Sequence, residues 1–368
     1  MNVGLTIDIS FSTKNSTKNQ AIILIADVLV RAGHKCFLIT NKRFNPYKKN
    51  AGFDILNSGH FLARFDMHEA SPIPLDICIE AGFQYEPDVA RELRLKNPKC
   101  KFIYFCFEDQ HAVDSLSSTT NIQYGTKRAV RQFDEAWTWE HLKRSTPYIE
   151  ATYKCASRTI PFLWDPKFIL QETKKIEKKG GSAFYNKKSK NIVCILEENK
   201  NAFSTCLIPL AICETLDYRS PDLICKVNIT NSESLKKNEH FKKLVSNLSI
   251  CEQKKEKVYF NNKWANVHAL SRWGKCVISN ETFGDLNAKH LEFIYLKFPF
   301  LHNISAIKDF AYYYSTENIG NAVNQLEYAL TMHDQNIDYY NGQMKECLCK
   351  FSTTNSKNIS AYQSIIQE

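Results

Sequence analysis

Short apolar segments alternate with longer amphipathic segments along most of the chain. In the first half the compact apolar runs lie at residues 2–8, 35–40, 75–80, 101–107 and 134–139. The sequence between them has apolar positions at helical spacing or is loop-like, and the helix predicted at 21–32 is closed by Gly33. Fully apolar strands that alternate with helices are typical of a parallel sheet covered on both faces. A Rossmann-like α/β domain is therefore predicted.

The second half has the same strand–helix rhythm without repeating the sequence of the first. Strands are predicted within 191–199, 222–230, 248–252, 257–260 and 276–279, and again after Pro299. Helices are predicted between them, including one at 201–216 and an amphipathic one at 319–332. A last helix is predicted at 355–367. This pattern indicates a second Rossmann-like domain.

Length and composition fit two domains of ordinary size. The chain has 368 residues, of which 43% are hydrophobic and 24% charged, as in soluble globular proteins. Neither a signal peptide nor a transmembrane segment is predicted from its hydrophobic pattern. The 13 cysteines are scattered without a C-x-x-C pair, which favours reduced thiols. We expect a cytoplasmic protein, and its frequent Lys, Asn and Ile suggest a bacterium or a large DNA virus.

The chain carries an excess of positive charge, with a formal net charge of +9 at pH 7. Such an excess can serve phosphate-bearing partners such as nucleotides, nucleic acid or an anionic lipid surface. Lysines occur along the whole length, however, and only residues 173–190 form a concentrated run. We interpret that run as a flexible, solvated surface segment, with phosphate contact as the alternative.

Motifs of several other enzyme classes are missing. The chain has no G-x-G-x-x-G, which weakens the interpretation as a dehydrogenase. It has no G-x-x-x-x-G-K-S/T, which excludes a P-loop kinase or ATPase. It also lacks the G-x-S-x-G of α/β-hydrolases. Because H-E-x-x-H and clustered Cys and His ligands are absent too, we expect no metal.

Residues 277–305 are the stretch around which the second half is organised. They comprise a short apolar strand, a loop with Gly284, a helix with apolar side chains at helical spacing, and a strand after Pro299. The free backbone N–H groups and the dipole of a helix that follows such a loop both favour negative charge. This segment is therefore predicted to hold an anionic ligand.

Within this stretch, the string LEFIYLKFPFLHN (291–303) resembles the segment LEAMACGxPVI of GT-B glycosyltransferases, which use nucleotide sugars. The strings ILEENKNAFSTCLIPLAICE, PFLWDP and SNETFGDLNAKHLEFIYLKFPFLHN together resemble a little-characterised microbial or viral group of GT-B-like proteins. These blocks are short, but they are distributed over most of the chain.

The resemblance implies an α/β fold with two Rossmann-like domains that face each other across a cleft, the GT-B architecture. It implies an N-terminal acceptor domain over residues 1–165 and a nucleotide-sugar donor domain over residues 166–350. The turn-like sequence Trp164-Asp165-Pro166 lies at the crossing. The C-terminal helix within 351–368 is expected to pack back on the first domain.

The resemblance assigns Glu292 to the ribose of the donor nucleotide, and a carboxylate that accepts two ribose hydroxyls fits this role. The alternative is a surface Glu paired with a neighbour such as Lys289. His302 is a candidate to line the donor pocket, with a core histidine as the alternative. Many retaining members carry a second Glu where this chain has Gly284, so the stereochemical outcome stays open.

Two loops are candidates to hold the diphosphate. GT-B enzymes need no metal and compensate the charge of the departing diphosphate with helix N-termini, hydroxyls and basic side chains, and the chain lacks the D-x-D motif of metal-dependent GT-A enzymes. Ordinary turn chemistry is the alternative for both loops. The candidate residues are Asn199, Lys200, Asn201 and Thr205 in one loop and Thr282, Phe283, Gly284 and Asn287 in the other.

An inverting reaction would need a general base from the first domain. Polar residues follow its predicted strands, at the sheet edge where open α/β sheets place their sites. His111, Glu80 and Asp109 are the catalytic candidates, because histidine titrates near neutrality and a carboxylate can accept a proton. By analogy with the first loop of GT-B enzymes, Lys18 and Asn19, with Lys14 and Asn15, are candidates for acceptor contact; structural or solvated roles are the alternatives.

The sequence thus predicts a metal-independent glycosyltransferase, a hexosyl- or pentosyltransferase, that uses a nucleoside-diphosphate sugar. The expected acceptor is a hydroxyl of a glycan or glycoconjugate. Two alternatives stay open. The positive charge motivates transfer to modified bases of nucleic acid, and the absence of the second Glu motivates a non-catalytic GT-B-like binding protein.

Overall fold

The computed structural model describes residues 1–8, 10, 16–41, 63–66, 74–120, 133–187, 190–282 and 286–367, with only the backbone at 63–66 and 253. The chain divides into two compact units. The N-terminal unit combines Met1–Phe168 with Phe351–Glu368, and the C-terminal unit is Ile169–Lys350.

The described part of the N-terminal unit is built on a parallel sheet of seven strands in the order β3-β2-β1-β4-β5-β6-β7. The strand order reverses between the neighbouring strands β1 and β4. The carboxyl ends of these two strands therefore form a topological switch point, the usual ligand position in open α/β sheets. The strands are β1 (Asn2–Ile7), β2 (Lys35–Thr40), β3 (Ala63–Asp66), β4 (Ile77–Glu80), β5 (Lys101–Cys106), β6 (Glu135–Trp139) and β7 (Ala156–Ile160).

Among the described residues of this unit, four helices precede the second unit in sequence. The first begins earlier than the hydrophobic pattern predicts, because Ser16 caps it by accepting a hydrogen bond from Asn19 N at 3.2 Å. It ends at Arg31, and Gly33, just after the C-cap residue Ala32, adopts a φ of 88°. The helices are α1 (Thr17–Arg31), α2 (Pro87–Lys96), α3 (Gln110–Thr120) and α4 (Thr146–Tyr153).

The C-terminal unit repeats the architecture, with a six-stranded parallel sheet among its described residues in the order β10-β9-β8-β11-β12-β13. Its strands are β8 (Ile192–Ile195), β9 (Lys226–Ile229), β10 (Val258–Phe260), β11 (Cys276–Ser279), β12 (Phe300–His302) and β13 (Tyr312–Tyr313). Its helices are α5 (Leu170–Lys178), α6 (Leu207–Arg219), α7 (Glu239–Ser246), α8 (Asn266–Trp273), α9 (Ala288–Tyr295), α10 (Ile319–Thr331) and α11 (Ile337–Phe351).

The last helix, α12 (Ser356–Gln367), packs on the N-terminal unit, as predicted. Tyr362 is buried and donates a hydrogen bond to Pro161 O at 2.9 Å. Together with Ile365 and Ile366 it joins the core cluster that contains side chains of β1 and α1. The two Rossmann-like domains and the returning helix confirm the predicted fold class.

Three local predictions differ from the structure. The segment 248–252 contains a 3-10 turn instead of a strand, because the Glu214 carboxylate accepts the N–H groups of Ser249 and Ile250 at 2.9 and 2.8 Å. The first residues of the lysine-rich run, which was interpreted as a flexible segment, belong to α5, and the Ile176 side chain there is buried. The helix predicted at 201–216 begins only at Leu207.

No helix in the part of the chain that the structure describes combines the length and the hydropathy needed to cross a bilayer.

Gly82 lies where the segment after β4 crosses the end of β1. A Cβ at this position would lie 2.6 Å from Asp8 N and from Ile7 Cα, and 2.8 Å from Thr6 O. These are backbone atoms that cannot turn away, so Gly82→Ala should destabilise the N-terminal unit by about 1–3 kcal/mol. Chemical denaturation of wild type and variant measures this change.

The control is Gly342→Ala in α11, where an added Cβ meets no atom within 4 Å. This substitution should leave the C-terminal unit unchanged or stabilise it by about 0.5–1 kcal/mol, since alanine is the better helix former. Equal unfolding midpoints for Gly82→Ala and wild type would contradict the predicted close contact.

Candidate functional site

The two loops predicted to hold an anion lie side by side in the C-terminal unit. We call them the β8 loop (residues 196–206) and the β11 loop (residues 280–287), of which 283–285 lie outside the described residues. Ser204 and Glu281 form an antiparallel β-bridge, and Thr282 N donates to Phe203 O at 2.9 Å. The carboxyl ends of the parallel neighbours β8 and β11 therefore present one joined surface.

A fully buried carboxylate, that of Glu197, lies beneath the junction of the loops. It accepts hydrogen bonds from the hydroxyls of Ser204 and Ser279, the latter at 2.5 Å, and from Asn280 N at 3.1 Å. The Lys289 ammonium lies 2.5 Å from its Oε2 atom. Every one of these partners compensates a charge that would be costly to bury alone.

Lys289, in the first turn of α9, connects this carboxylate to a second one. Its Nζ atom is 2.8 Å from Glu281 Oε1 and 3.3 Å from Ser204 Oγ. Burial opposes the charge on Lys289, but Glu197 and Glu281 outweigh it and raise the pKa of the lysine. Among the described residues Lys289 has no ion pair with Glu292, which corrects the alternative that paired these two side chains.

The N-terminus of α9 is capped by Asn287, whose side-chain oxygen accepts Lys289 N at 3.1 Å. In return, Asn287 N donates to His290 Nδ1 at 3.2 Å, so the ring proton lies on Nε2, 3.2 Å from Glu281 Oε1 and 3.3 Å from Ser279 Oγ. Burial lowers the pKa of His290 and raises that of Glu281, the latter against the pull of Lys289. The neutral imidazole thus acts as a donor here and has no nitrogen available as a base.

Glu292 lies in α9 and is partly buried. Its Oε2 atom accepts a hydrogen bond from Asn266 Nδ2, at the start of α8, at 2.9 Å. No group among the described residues donates to Oε1. Burial raises the pKa of Glu292, and the Asn266 hydrogen bond opposes this rise. One oxygen of an oriented carboxylate therefore remains available to a hydroxyl donor.

The polar residues of the β8 loop are engaged in turn contacts. Asn199 adopts a φ of 53°, accepts Cys206 N at 2.8 Å and donates to Thr230 O at 3.0 Å. Asn201 accepts Phe203 N at 3.0 Å. These contacts match the turn chemistry that was the alternative for both residues, and they explain why α6 starts late.

The other predicted donor-site residues differ in their availability. The Lys200 side chain is 67% exposed and lies 3.7 Å from Glu198, so it is free to swing toward an anion. Thr205 is partly buried, and Thr282 is exposed. Phe283 and Gly284 lie outside the described residues.

His302 lies in the core of the C-terminal unit and is fully buried. Its Nε2 atom lies 2.9 Å from Phe310 O, and its Nδ1 atom accepts Ile304 N at 3.1 Å. Burial lowers its pKa to about 3. The expectation that His302 lines the donor pocket is corrected: its ring is a neutral core histidine with both nitrogens in use.

The three catalytic candidates of the N-terminal unit follow β4 and β5. Glu80 is buried and accepts Tyr85 N at 3.0 Å. Asp109 caps α3 by accepting Ala112 N at 3.1 Å, and Arg144 lies 2.8 Å from its other oxygen. His111 is exposed, and its ring packs edge-on against that of Tyr148 with 5.2 Å between the ring centroids. Each thus has a structural contact, and its catalytic role stays a prediction.

A cavity opens at the switch point of this sheet, beside these candidates. It encloses about 440 Å³, including space open to solvent, and the Lys18 ammonium lies 3.9 Å from Glu108 in its wall. The sequence indicated Lys18 through the analogy with the first loop of GT-B enzymes, whereas the aromatic walls were missed; Lys14 and Asn15 lie outside the described residues. The lining includes Phe83, Tyr104, Phe107, Gln84 and Gln110.

Several solved structures are similar to the whole chain, and one of them is described as a glycosyltransferase. The glycosyltransferase of Rickettsia africae matches 100% of this chain and 99% of its own, with a TM-score of 0.56 and 12% identity. The Anabaena protein HepE, in complex with UDP and glucose, matches 100% of this chain and 98% of its own, with a TM-score of 0.54 and 9% identity. An Escherichia coli structure is described as trehalose-6-phosphate bound with UDP-2-fluoro glucose. It matches 100% of this chain and 99% of its own, with a TM-score of 0.59 and 11% identity. The chain has the GT-B fold of glycosyltransferases.

The family match extends over both units. The profile of the family described as "Protein of unknown function (DUF2827)" matches residues 3–366, and the chain belongs to this family. No curated protein sequence matches the chain.

Proposed function

We propose that this protein is a metal-independent glycosyltransferase that moves a sugar from a nucleoside diphosphate to a hydroxyl of a glycan. The observation that carries the proposal is the placement of Glu292. Its carboxylate is oriented by Asn266, has one oxygen to which no described residue donates, and lies on the helix that directly follows the β11 loop. In a GT-B fold, this arrangement suits a ribose whose hydroxyls donate to a carboxylate.

The diphosphate would lie against the joined β8 and β11 loops. Lys200 is the exposed cation there, Thr205 and Thr282 supply hydroxyls, and the start of α9 supplies a favourable dipole. The HepE complex contains UDP and the E. coli complex a UDP-sugar analogue. These complexes support a nucleotide-sugar donor for the present fold.

No metal is needed in this proposal. Within the described ranges, no three His, Cys, Asp or Glu side chains cluster as a metal site would require. In the transfer, the bond between the sugar C1 and the acceptor oxygen forms while the C1–diphosphate bond breaks. The diphosphate leaves with the electron pair, and fixed dipoles and basic groups stabilise its charge.

The acceptor would bind in the cavity of the N-terminal unit. Aromatic walls such as Phe83 and Phe107 suit the apolar face of a sugar ring, while Gln84, Gln110 and Glu108 suit its hydroxyls. If the reaction inverts, Glu80, Asp109 or His111 would take the acceptor proton. The mixed aromatic and polar lining supports a glycan acceptor.

Isothermal titration with UDP, GDP and TDP tests the proposal. At least one of them should bind, and no binding of any at millimolar concentration would contradict a nucleotide-sugar enzyme. Hydrolysis of the matching donor sugar by the pure protein then separates an enzyme from a GT-B-like binding protein. Binding to duplex DNA that weakens steeply with salt would instead favour a nucleic-acid acceptor.

A further inference from the structure

A single side chain contacts both loops of the donor site. The Lys289 ammonium bonds to Glu197 and Ser204 in the β8 loop, at 2.5 and 3.3 Å, and to Glu281 in the β11 loop, at 2.8 Å. The two loops are distant in sequence, and the contact between Asn280 and Glu197 spans 83 positions. Lys289 therefore adds a charged side-chain link to the backbone bridge between Ser204 and Glu281.

The surroundings of Lys289 argue against direct contact with a phosphate. Its side chain is only 14% exposed, and two carboxylates already compensate its charge. Around Glu281 the other groups are the neutral His290 ring at 3.2 Å and the Asn287 amide at 3.3 Å. With two acids against one base, the cluster has no positive charge left over for an anion.

We infer that Lys289 is a positioning residue of the donor site, which holds the β8 and β11 loops together so that both face the same diphosphate. This inference rests on the proposed function. Without the ammonium, Glu197 and Glu281 would repel each other across the junction, because like charges in a poorly solvated place interact strongly. The loops would separate, and the backbone and hydroxyl groups that a diphosphate needs would no longer converge.

The chain contains a matched control at the start of β11, the strand that leads into the β11 loop. Lys275 directly precedes β11, its side chain is 4% exposed, and it lies 2.7 Å from Asp334. Lys275→Met therefore removes a lysine that is even more buried from the same unit but leaves both loops intact. A role of Lys289 that is merely structural predicts the same behaviour for the two variants.

The test compares Lys289→Met, Lys289→Arg and Lys275→Met. Lys289→Met should raise the Kd of the nucleoside diphosphate about tenfold or more, equivalent to the loss of one strong polar contact. It should also speed hydrogen exchange at the amides of Asn280 and Thr282, which bond to Glu197 and to the β8 loop. Lys275→Met should leave both quantities unchanged, and Lys289→Arg should restore most of the affinity.

A Kd or an exchange rate of Lys289→Met equal to that of wild type would overturn the inference, as would equal losses in Lys275→Met. If Lys289→Met does not fold, Glu281→Gln, which weakens only the connection to the β11 loop, takes its place with the same expected directions. A wild-type protein that binds no nucleotide would refute the proposed function, and the exchange rates alone would then decide whether Lys289 joins the loops.

Discussion

Glu197→Ala is expected to lower the free energy of unfolding of the C-terminal unit by about 3–5 kcal/mol, the cost of breaking a buried ion pair from one side. The Glu197 carboxylate is fully buried, and Lys289, Ser204 and Ser279 all direct hydrogen-bond donors at it. Its removal leaves these donors without their acceptor. It also leaves the Lys289 ammonium with Glu281 alone.

Native-state hydrogen exchange at the amides of β8 and β11 measures this loss for the C-terminal unit separately. The neighbouring substitution Glu198→Ala is the control. Glu198 is 67% exposed and lies 3.7 Å from Lys200, so its loss should change stability by no more than about 0.5 kcal/mol. Similar effects of the two substitutions would show that Glu197 is not the centre of the loop junction.

The contrast between Glu197 and Glu198 illustrates what the sequence could not show. The hydrophobic pattern located the apolar strand before them and the loop after it, and it identified the second loop near Glu281. Neither loop reveals its partner, because the contact between Glu197 and Ser279 spans 82 positions. Which of two adjacent glutamates enters the core depends on the pairing of β8 with β11, and that pairing is a property of the whole sheet.

Residue type alone was equally ambiguous for Asn199 and His302. Asparagine suits both a phosphate and a turn, and the structure shows it accepting Cys206 N in a turn with positive φ. Histidine suits both a pocket and a core, and its neighbours Phe310 and Ile304 determine that it is a core residue. In both cases the deciding partners are backbone groups, which carry no signal in the sequence.

Where the sequence succeeded, the signal was local and repeated. The apolar runs at residues 35–40 and 101–107 coincide with β2 and β5 to within one residue. Where it failed, a distant group intervened. The apolar run at 248–252 looks like a strand, but Glu214, 35 positions before Ser249, binds its backbone and bends it into a turn.

Glu292→Ala is expected to weaken the binding of a nucleoside diphosphate about 100-fold and to leave the binding of inorganic pyrophosphate within about twofold. A hydroxyl that donates to an ionised carboxylate contributes about 1.5–3 kcal/mol, and about 2.7 kcal/mol corresponds to about 100-fold in Kd. Pyrophosphate has no ribose, so it reports on the loops alone. Isothermal titration with both ligands measures the ratio.

Two further measurements separate a ribose contact from a general disturbance of α9. Asn266→Ala keeps the carboxylate but removes its 2.9 Å donor, so it should lose less nucleotide affinity than Glu292→Ala. Because burial raises the pKa of Glu292, wild-type affinity should fall as the pH drops through that raised value and the acid is neutralised, and Glu292→Ala should lack this component. If Glu292→Ala weakens nucleotide and pyrophosphate equally, the acid supports the loops, and another group must hold the ribose.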